Sequence, residues 1–89
     1  MKVLIIEDEH YAAKRLQQLL VDHFEDMEVL DVIDTVEDSI SWFKTNKQPD
    51  IAFLDIQLAD GLSFDIFSEV EVTCPIIFIT AFDEYALEA

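Results

Sequence analysis

Three acids stand together at Glu7, Asp8 and Glu9, and another stands at Asp55. A hydroxyl follows at Thr80, with the small Ala81 beside it. Each position comes directly after a short apolar run: residues 2–6, 51–54 and 75–79. If those runs are neighbouring strands, Asp8 and Asp55 converge at one edge of a sheet, with Glu7 beside them. Carboxylates within a few ångströms repel one another, and each then resists ionisation. A hard cation resolves that conflict. Magnesium accepts one or two carboxylates, keeps several waters and leaves room for phosphate oxygens. An Asp carboxylate can also act as a nucleophile and form an aspartyl phosphate. The metal would neutralise charge on the nucleophile and on the transferring group. Thr80 offers a hydroxyl to a phosphoryl oxygen, and Ala81 leaves space beside it.

Ordinary roles compete with that chemistry. Acids at strand ends are often solvated, and Glu7 and Asp8 also suit the N-terminus of a following helix as caps. Thr80 also suits a plain turn. His10 is expected in the exposed first turn of that helix, not at a metal. His23, near the helix end, favours the helix dipole. Cys74 is expected to be a half-buried, inert thiol, since no basic group nearby in sequence lowers its pKa. The joint reading is favoured because the acidic pair, Asp55 and Thr80 all fall at run ends within one order of elements.

That order comes from the apolar periodicity. Residues 2–6, 51–54 and 75–79 are continuous apolar runs, as expected of strands covered on both faces in a parallel sheet. Residues 28–33 alternate in part (Val29, Asp31, Ile33), which suits a more exposed place in the sheet. Between the first two runs, Ala12, Leu16, Leu19, Leu20 and Phe24 form a stripe at steps of three and four. Thr35 reads as an N-cap, with Glu37 and Asp38 in the first turn of a second helix. Ile40 and Phe43 give that helix its apolar side. Trp42 is expected to be exposed, because adjacent aromatics cannot share one helical face. Leu62, Ile66 and Val70 repeat at four, with Phe64 and Phe67 expected in the core. Asp83 is placed to cap a last helix. Residues 46–49 and Asp60-Gly61 read as turns. The order βαβαβαβα predicts a parallel, doubly wound α/β sheet. In such sheets ligands bind at the carboxyl ends of the strands, near the point where strand order reverses.

Eighty-nine residues fit one domain, residues 1–89, and about half are apolar, which excludes a disordered chain. Acids outnumber Lys and Arg by 20 to 5, for a net charge of −15. Such a chain repels nucleic acid and anionic membrane; as a set, the acids also serve solubility. A single cysteine allows no internal disulfide and suits a reducing compartment. No apolar stretch approaches the ~20 residues that span a bilayer, and the opening run is too short for a signal peptide. A cytosolic location follows as the expectation.

The segments LIIEDE (residues 4–9), IAFLDIQLADG (51–61) and IIFITAF (76–82) resemble the receiver domains of two-component response regulators. The likeness spans the whole chain, with the motifs in the family's order and spacing. The DIQLADG form looks most like receivers that precede a LytTR-type DNA-binding domain. The resemblance implies a flavodoxin-like fold with strand order 2-1-3-4-5. It implies that Asp55 is the phosphoacceptor and that Mg²⁺ is the cofactor. Asp8 would ligate the metal directly, Glu7 mostly through water, and Gln57 through its backbone carbonyl. Thr80 would follow the phosphoryl group when the domain switches, with Ala81 the small residue beside it. Many receivers have Asp-Asp where this chain has Glu7-Asp8, and both forms occur.

The resemblance also sets expectations for partners. A sensor histidine kinase would donate the phosphoryl group, and an output domain, DNA-binding in LytTR-type regulators, would respond. The receiver itself would touch neither nucleic acid nor membrane. The family has a lysine after a fifth strand; the chain ends before that lysine, strand and helix, and Lys2, Lys14, Lys44 and Lys47 do not match it. The sheet is therefore expected to be incomplete, and a second copy is expected to pair with it as a homodimer. The receiver is not expected to be an enzyme, although it assists its own phosphorylation and dephosphorylation. Phosphatases with an Asp nucleophile share the fold but use a second Asp two residues on, where this chain has Gln57. A flavodoxin-like nucleotide site would need a glycine-rich loop after the first strand, and none is present.

Overall fold

Strand β1 (Lys2–Ile6) begins the chain. Val3, Leu4, Ile5 and Ile6 have no exposed surface. A strand with both faces covered has no use for polar alternation, which is why this run has none. The computed structural model describes residues 1–79. After β1 come α1 (His10–His23), β2 (Glu28–Ile33), α2 (Val36–Thr45), β3 (Ile51–Asp55), β4 (Gln57–Leu58), β5 (Gly61–Leu62), α3 (Phe64–Glu69) and β6 (Ile76–Ile79). The main sheet has the order β2-β1-β3-β6, and β1 pairs in parallel with both β2 and β3. β3 pairs in parallel with β6. This is the expected order 2-1-3-4, with the reversal falling between β1 and β3. The partly alternating β2 lies at the sheet edge, as its pattern predicted.

The two faces of the sheet build two cores. Leu4, Ile6, Ala52 and Leu54 point to one side, against Ile33, Val36, Phe43, Leu58 and Ile66. Val3, Ile5 and Phe53 point to the other, against Ala13 and Leu20 of α1. Residues alternate between these cores along β1 and β3, as the period of two in a strand requires. Both faces therefore hold the carboxyl ends of β1 and β3 rigidly, and those ends carry the acids.

Several sequence expectations are corrected. The core face of α1 is Ala13 and Leu20, with Leu16 packed partly against them; Leu19 and Phe24 are exposed. The third helix is shorter than its pattern suggested. Leu62 belongs to the β4–β5 hairpin, and only Ile66 of α3 is buried. Phe64 and Phe67, expected in the core, are exposed; Phe64 packs on Phe78 of β6 with ring centroids 5.5 Å apart. β6 was expected to be covered on both faces, but Ile77 and Phe78 are exposed. Trp42 is half-buried against the α2 core and meets Phe43 edge-on at 5.3 Å. The geometry allows both aromatics inward contact because the Trp42 ring lies across that of Phe43. The Asp83 helix start falls outside the described residues.

Candidate metal centre

Glu7 continues the line of β1. Its N–H donates to the carbonyl of Ile33 (2.8 Å), so β2 holds it as strand although β1 has ended. The side chain is 7% exposed. Asp8 follows and is half-buried. α1 starts at His10 with Glu9 at its N-cap, and no side-chain cap bond forms there. The acids are thus not spent on capping α1. His10 is exposed at the first helical position, as expected.

Asp55 is the last residue of β3, one step beyond the Ile6–Leu54 register pair. Parallel pairing of β1 with β3 therefore brings Glu7 and Asp55 to the same edge. One oxygen each from Glu7, Asp8 and Asp55 lie within 4.8 Å of one another. Sequence reasoning named these three residues, and the fold brings all three together. Thr80 and Ala81 lie outside the described residues.

The electrostatics follow from burial. Glu7 Oε2 is buried and has no hydrogen-bond partner among the described residues. Burial first, then the Asp55 carboxyl beside it and the charges of Asp8 and Glu9, push the Glu7 carboxyl up from 4.5 to about 8. The carboxylate oxygens beside it in this cluster are acceptors, so a proton or a cation between them would satisfy it. The donor set is all carboxylate oxygen, with no sulfur or nitrogen. That chemistry fits Mg²⁺, which prefers hard oxygen ligands.

Gln57 lies two residues beyond Asp55, on a hairpin the sequence did not reveal. Gln57 pairs with Leu62 and Leu58 with Gly61. The N–H of Ser63 donates to the carbonyl of Ile56 (2.8 Å), and Ser63 Oγ donates to the same atom (3.2 Å). Antiparallel pairs alternate between hydrogen-bonded and open. A bonded Ile56–Ser63 pair makes Gln57–Leu62 an open one, so the Gln57 carbonyl is not consumed by the hairpin. It stays available to a metal beside Asp55. The buried Ser63 gave no signal in the sequence beyond its place after the Asp60-Gly61 turn.

The acids border a groove whose other wall is α1, through Tyr11, Ala12, Arg15 and Leu16. Among the described residues Arg15 is the one cation lining it, and the sequence reading passed it over. Its signal was weak, since its distance from the acids depends on where α1 starts.

A doubly wound parallel sheet with three carboxylates gathered at the carboxyl ends of β1 and β3 defines a flavodoxin-like module with an acidic switch-point site. The chain belongs to the response regulator receiver domain family, whose model matches residues 3–89. It is 40% identical to sensory transduction protein LytT of Bacillus anthracis, over all of this chain and 37% of that protein. It is 36% identical to transcriptional regulatory protein BtsR of Salmonella typhi, over all of this chain and again 37% of the relative. The response regulatory domain of protein mrkE from Klebsiella pneumoniae superposes with a TM-score of 0.76 at 38% identity, covering all of this chain and 74% of that one. The chain thus spans little over a third of the curated relatives. It is a receiver domain of the two-component type. Among the described residues no helix is long and apolar enough to cross a membrane.

Proposed function

We propose that this receiver accepts a phosphoryl group on Asp55 from a sensor histidine kinase, with Mg²⁺ bound by Asp8, Asp55 and the Gln57 carbonyl and by Glu7 through water. The observation that carries this reading is the gathering of Glu7, Asp8 and Asp55 oxygens within 4.8 Å of one another, with a buried Glu7 oxygen that has no partner among the described residues. The bound metal would neutralise charge on the Asp55 carboxylate and on the incoming phosphoryl oxygens. An Asp55 oxygen attacks phosphorus, the P–N bond to the kinase imidazole breaks, and the electron pair leaves with the imidazole, which takes up a proton. The product is an aspartyl phosphate. Thr80 then offers its hydroxyl to a phosphoryl oxygen, with Ala81 leaving room. The module is a phosphoacceptor rather than an enzyme, although its acids assist both gain and loss of the group.

The consequence is read by an output domain elsewhere in the protein. The name of the BtsR relative supports transcription as that output, and the net charge of −15 argues that this domain does not itself touch DNA. The single cysteine, half-buried and with its thiol pushed up by burial, is consistent with a cytosolic setting. A second copy is a further proposed partner, supported by exposed Ile77 and Phe78 on β6; light scattering before and after phosphorylation tests it.

Treatment with acetyl phosphate and Mg²⁺, followed by peptide mass spectrometry, is the direct test of the phosphoacceptor. Phosphate is expected on Asp55 alone and to vanish in Asp55→Asn or with EDTA. Label on another acid, or undiminished label in Asp55→Asn, would overturn the assignment.

A further inference from the structure

Asp60 lies at the tip of the β4–β5 hairpin, five residues beyond Asp55, and its carboxylate leaves the hairpin to grip another element. Oδ1 accepts the N–H of Val36 (2.7 Å), and Oδ2 accepts the N–H of Glu37 (3.1 Å). Both amides belong to the first turn of α2, 24 and 23 residues away in sequence. Thr35 Oγ1 accepts the next amide, that of Asp38 (3.0 Å). The open N-terminus of α2 is therefore shared between its own N-cap and a residue of the metal-site loop. A helix N-terminus offers unpaired donors and positive dipole, so a carboxylate held there is well anchored. Val36 itself is part of the sheet core, with Ile6, Ile33 and Leu54. The far end of the hairpin is thereby tied to the same core that fixes the carboxyl ends of β1 and β3.

At the base of the hairpin Ser63 holds the Ile56 carbonyl, and Leu58, next to Gln57, is buried in the core. Gln57 lies between the two anchors, and its carbonyl is left free by the pairing. A two-residue pair of strands has little stability of its own. The direction of the Gln57 carbonyl is thus set by the Leu58 core contact together with the holds at the base and the tip.

We propose that Asp60 is a positioning residue for the metal site: its bridge to the Val36 and Glu37 amides fixes the hairpin and so aims the Gln57 carbonyl at the metal beside Asp55. The inference rests on the phosphoacceptor reading above. Groups that orient a metal ligand without touching the metal typically change affinity by about 10–100-fold when removed. One backbone carbonyl among several ligands puts the effect here at the lower end, roughly tenfold.

The test is Mg²⁺ titration of the chain followed by amide NMR, read at Leu58, whose N–H shares a peptide unit with the Gln57 carbonyl. Asp60→Ala should raise the half-saturating Mg²⁺ concentration by roughly tenfold. Labelling of Asp55 at saturating Mg²⁺ should remain near the native rate, because the acids are untouched. Asp60→Asn, which keeps one acceptor oxygen, should give a smaller rise and is the variant to use if Asp60→Ala folds incompletely. Thr35→Ala removes the other cap bond at the same helix start without touching the hairpin, and should leave Mg²⁺ binding unchanged. An equal rise in Thr35→Ala would show that fraying of α2 is the cause and overturn the inference. Native half-saturation in both Asp60 variants, with Asp8→Ala weakened, would overturn it while sparing the site. If Asp8→Ala binds Mg²⁺ as well as the native chain, the site reading fails and this inference falls with it.

Discussion

Burial keeps a proton on Glu7 to about pH 8, far above the ordinary carboxyl value of 4.5. Between those two values the folded chain holds a proton that the unfolded chain has lost. Raising pH across that window therefore favours the unfolded state, and the loss levels off above about 8. A bound cation takes the proton's place, so metal affinity should rise with pH. The expected gain is up to roughly tenfold in apparent Mg²⁺ affinity per pH unit below pH 8, one proton being displaced per ion. In EDTA, Glu7→Gln should flatten the fall in melting temperature between pH 5 and 8, measured by circular dichroism. An undiminished slope in that variant would assign the titration to another group. Asp8 and Asp55 were legible in the sequence because an acid after an apolar run is placed by the strand alone. The proton on Glu7 was not. It depends on the Ile33 carbonyl holding Glu7 in line with β1 and on acids from a distant strand.

Elements were legible where a single period ruled them. The runs that became β1 and β3 lacked polar residues because both faces of those strands are covered, and α2 showed its cap. The Thr35 cap forms as expected, accepting from Asp38. α1 was misphased because its apolar residues serve two surfaces. Ala13 and Leu20 enter the core, while Ala12, Leu16 and Leu19 line the groove beside the acids. A stripe count alone cannot separate the two. The β4–β5 hairpin was invisible because strands of two residues have no period to read. Its one sequence mark is Gly61, whose φ of +153° is a conformation that side chains rarely adopt. A Cβ there would also lie 3.3 Å from Asp65 Oδ2, the end of a flexible side chain that can yield. The backbone rather than the neighbour therefore sets the cost. Gly61→Ala should destabilise the chain by about 1–3 kcal/mol. Urea unfolding measures it, and a loss below a few tenths would mean that the hairpin relaxes freely into another turn.

The molecule as a whole carries 20 acids against 5 Lys and Arg, for −15 on a body whose shortest dimension is 21 Å. Like charges at that density repel across the fold, and the unfolded chain relieves the repulsion by expanding. The screening length is roughly 30 Å at 0.01 M salt, longer than the shortest dimension, and about 10 Å at 0.1 M, well below it. Added NaCl should therefore raise the melting temperature over that range. The direction is opposite to that of a fold held by attractive surface ion pairs, which salt weakens. Magnesium should act through a second route. Screening depends on ionic strength and leaves no memory of which acid was removed, whereas a bound ion needs Asp8 and the open Glu7 oxygen. At matched ionic strength, MgCl₂ should stabilise the native chain more than NaCl, by RT ln(1 + [Mg²⁺]/Kd) for one site, which is about 1.4 kcal/mol when the ion is tenfold above Kd. Asp8→Ala should keep the NaCl response and lose the magnesium excess. Thermal melts of both chains in the two salts separate the routes. An equal magnesium excess in Asp8→Ala would place the bound ion elsewhere on the acidic surface, and an absent NaCl response would show that the acids are too well solvated to repel.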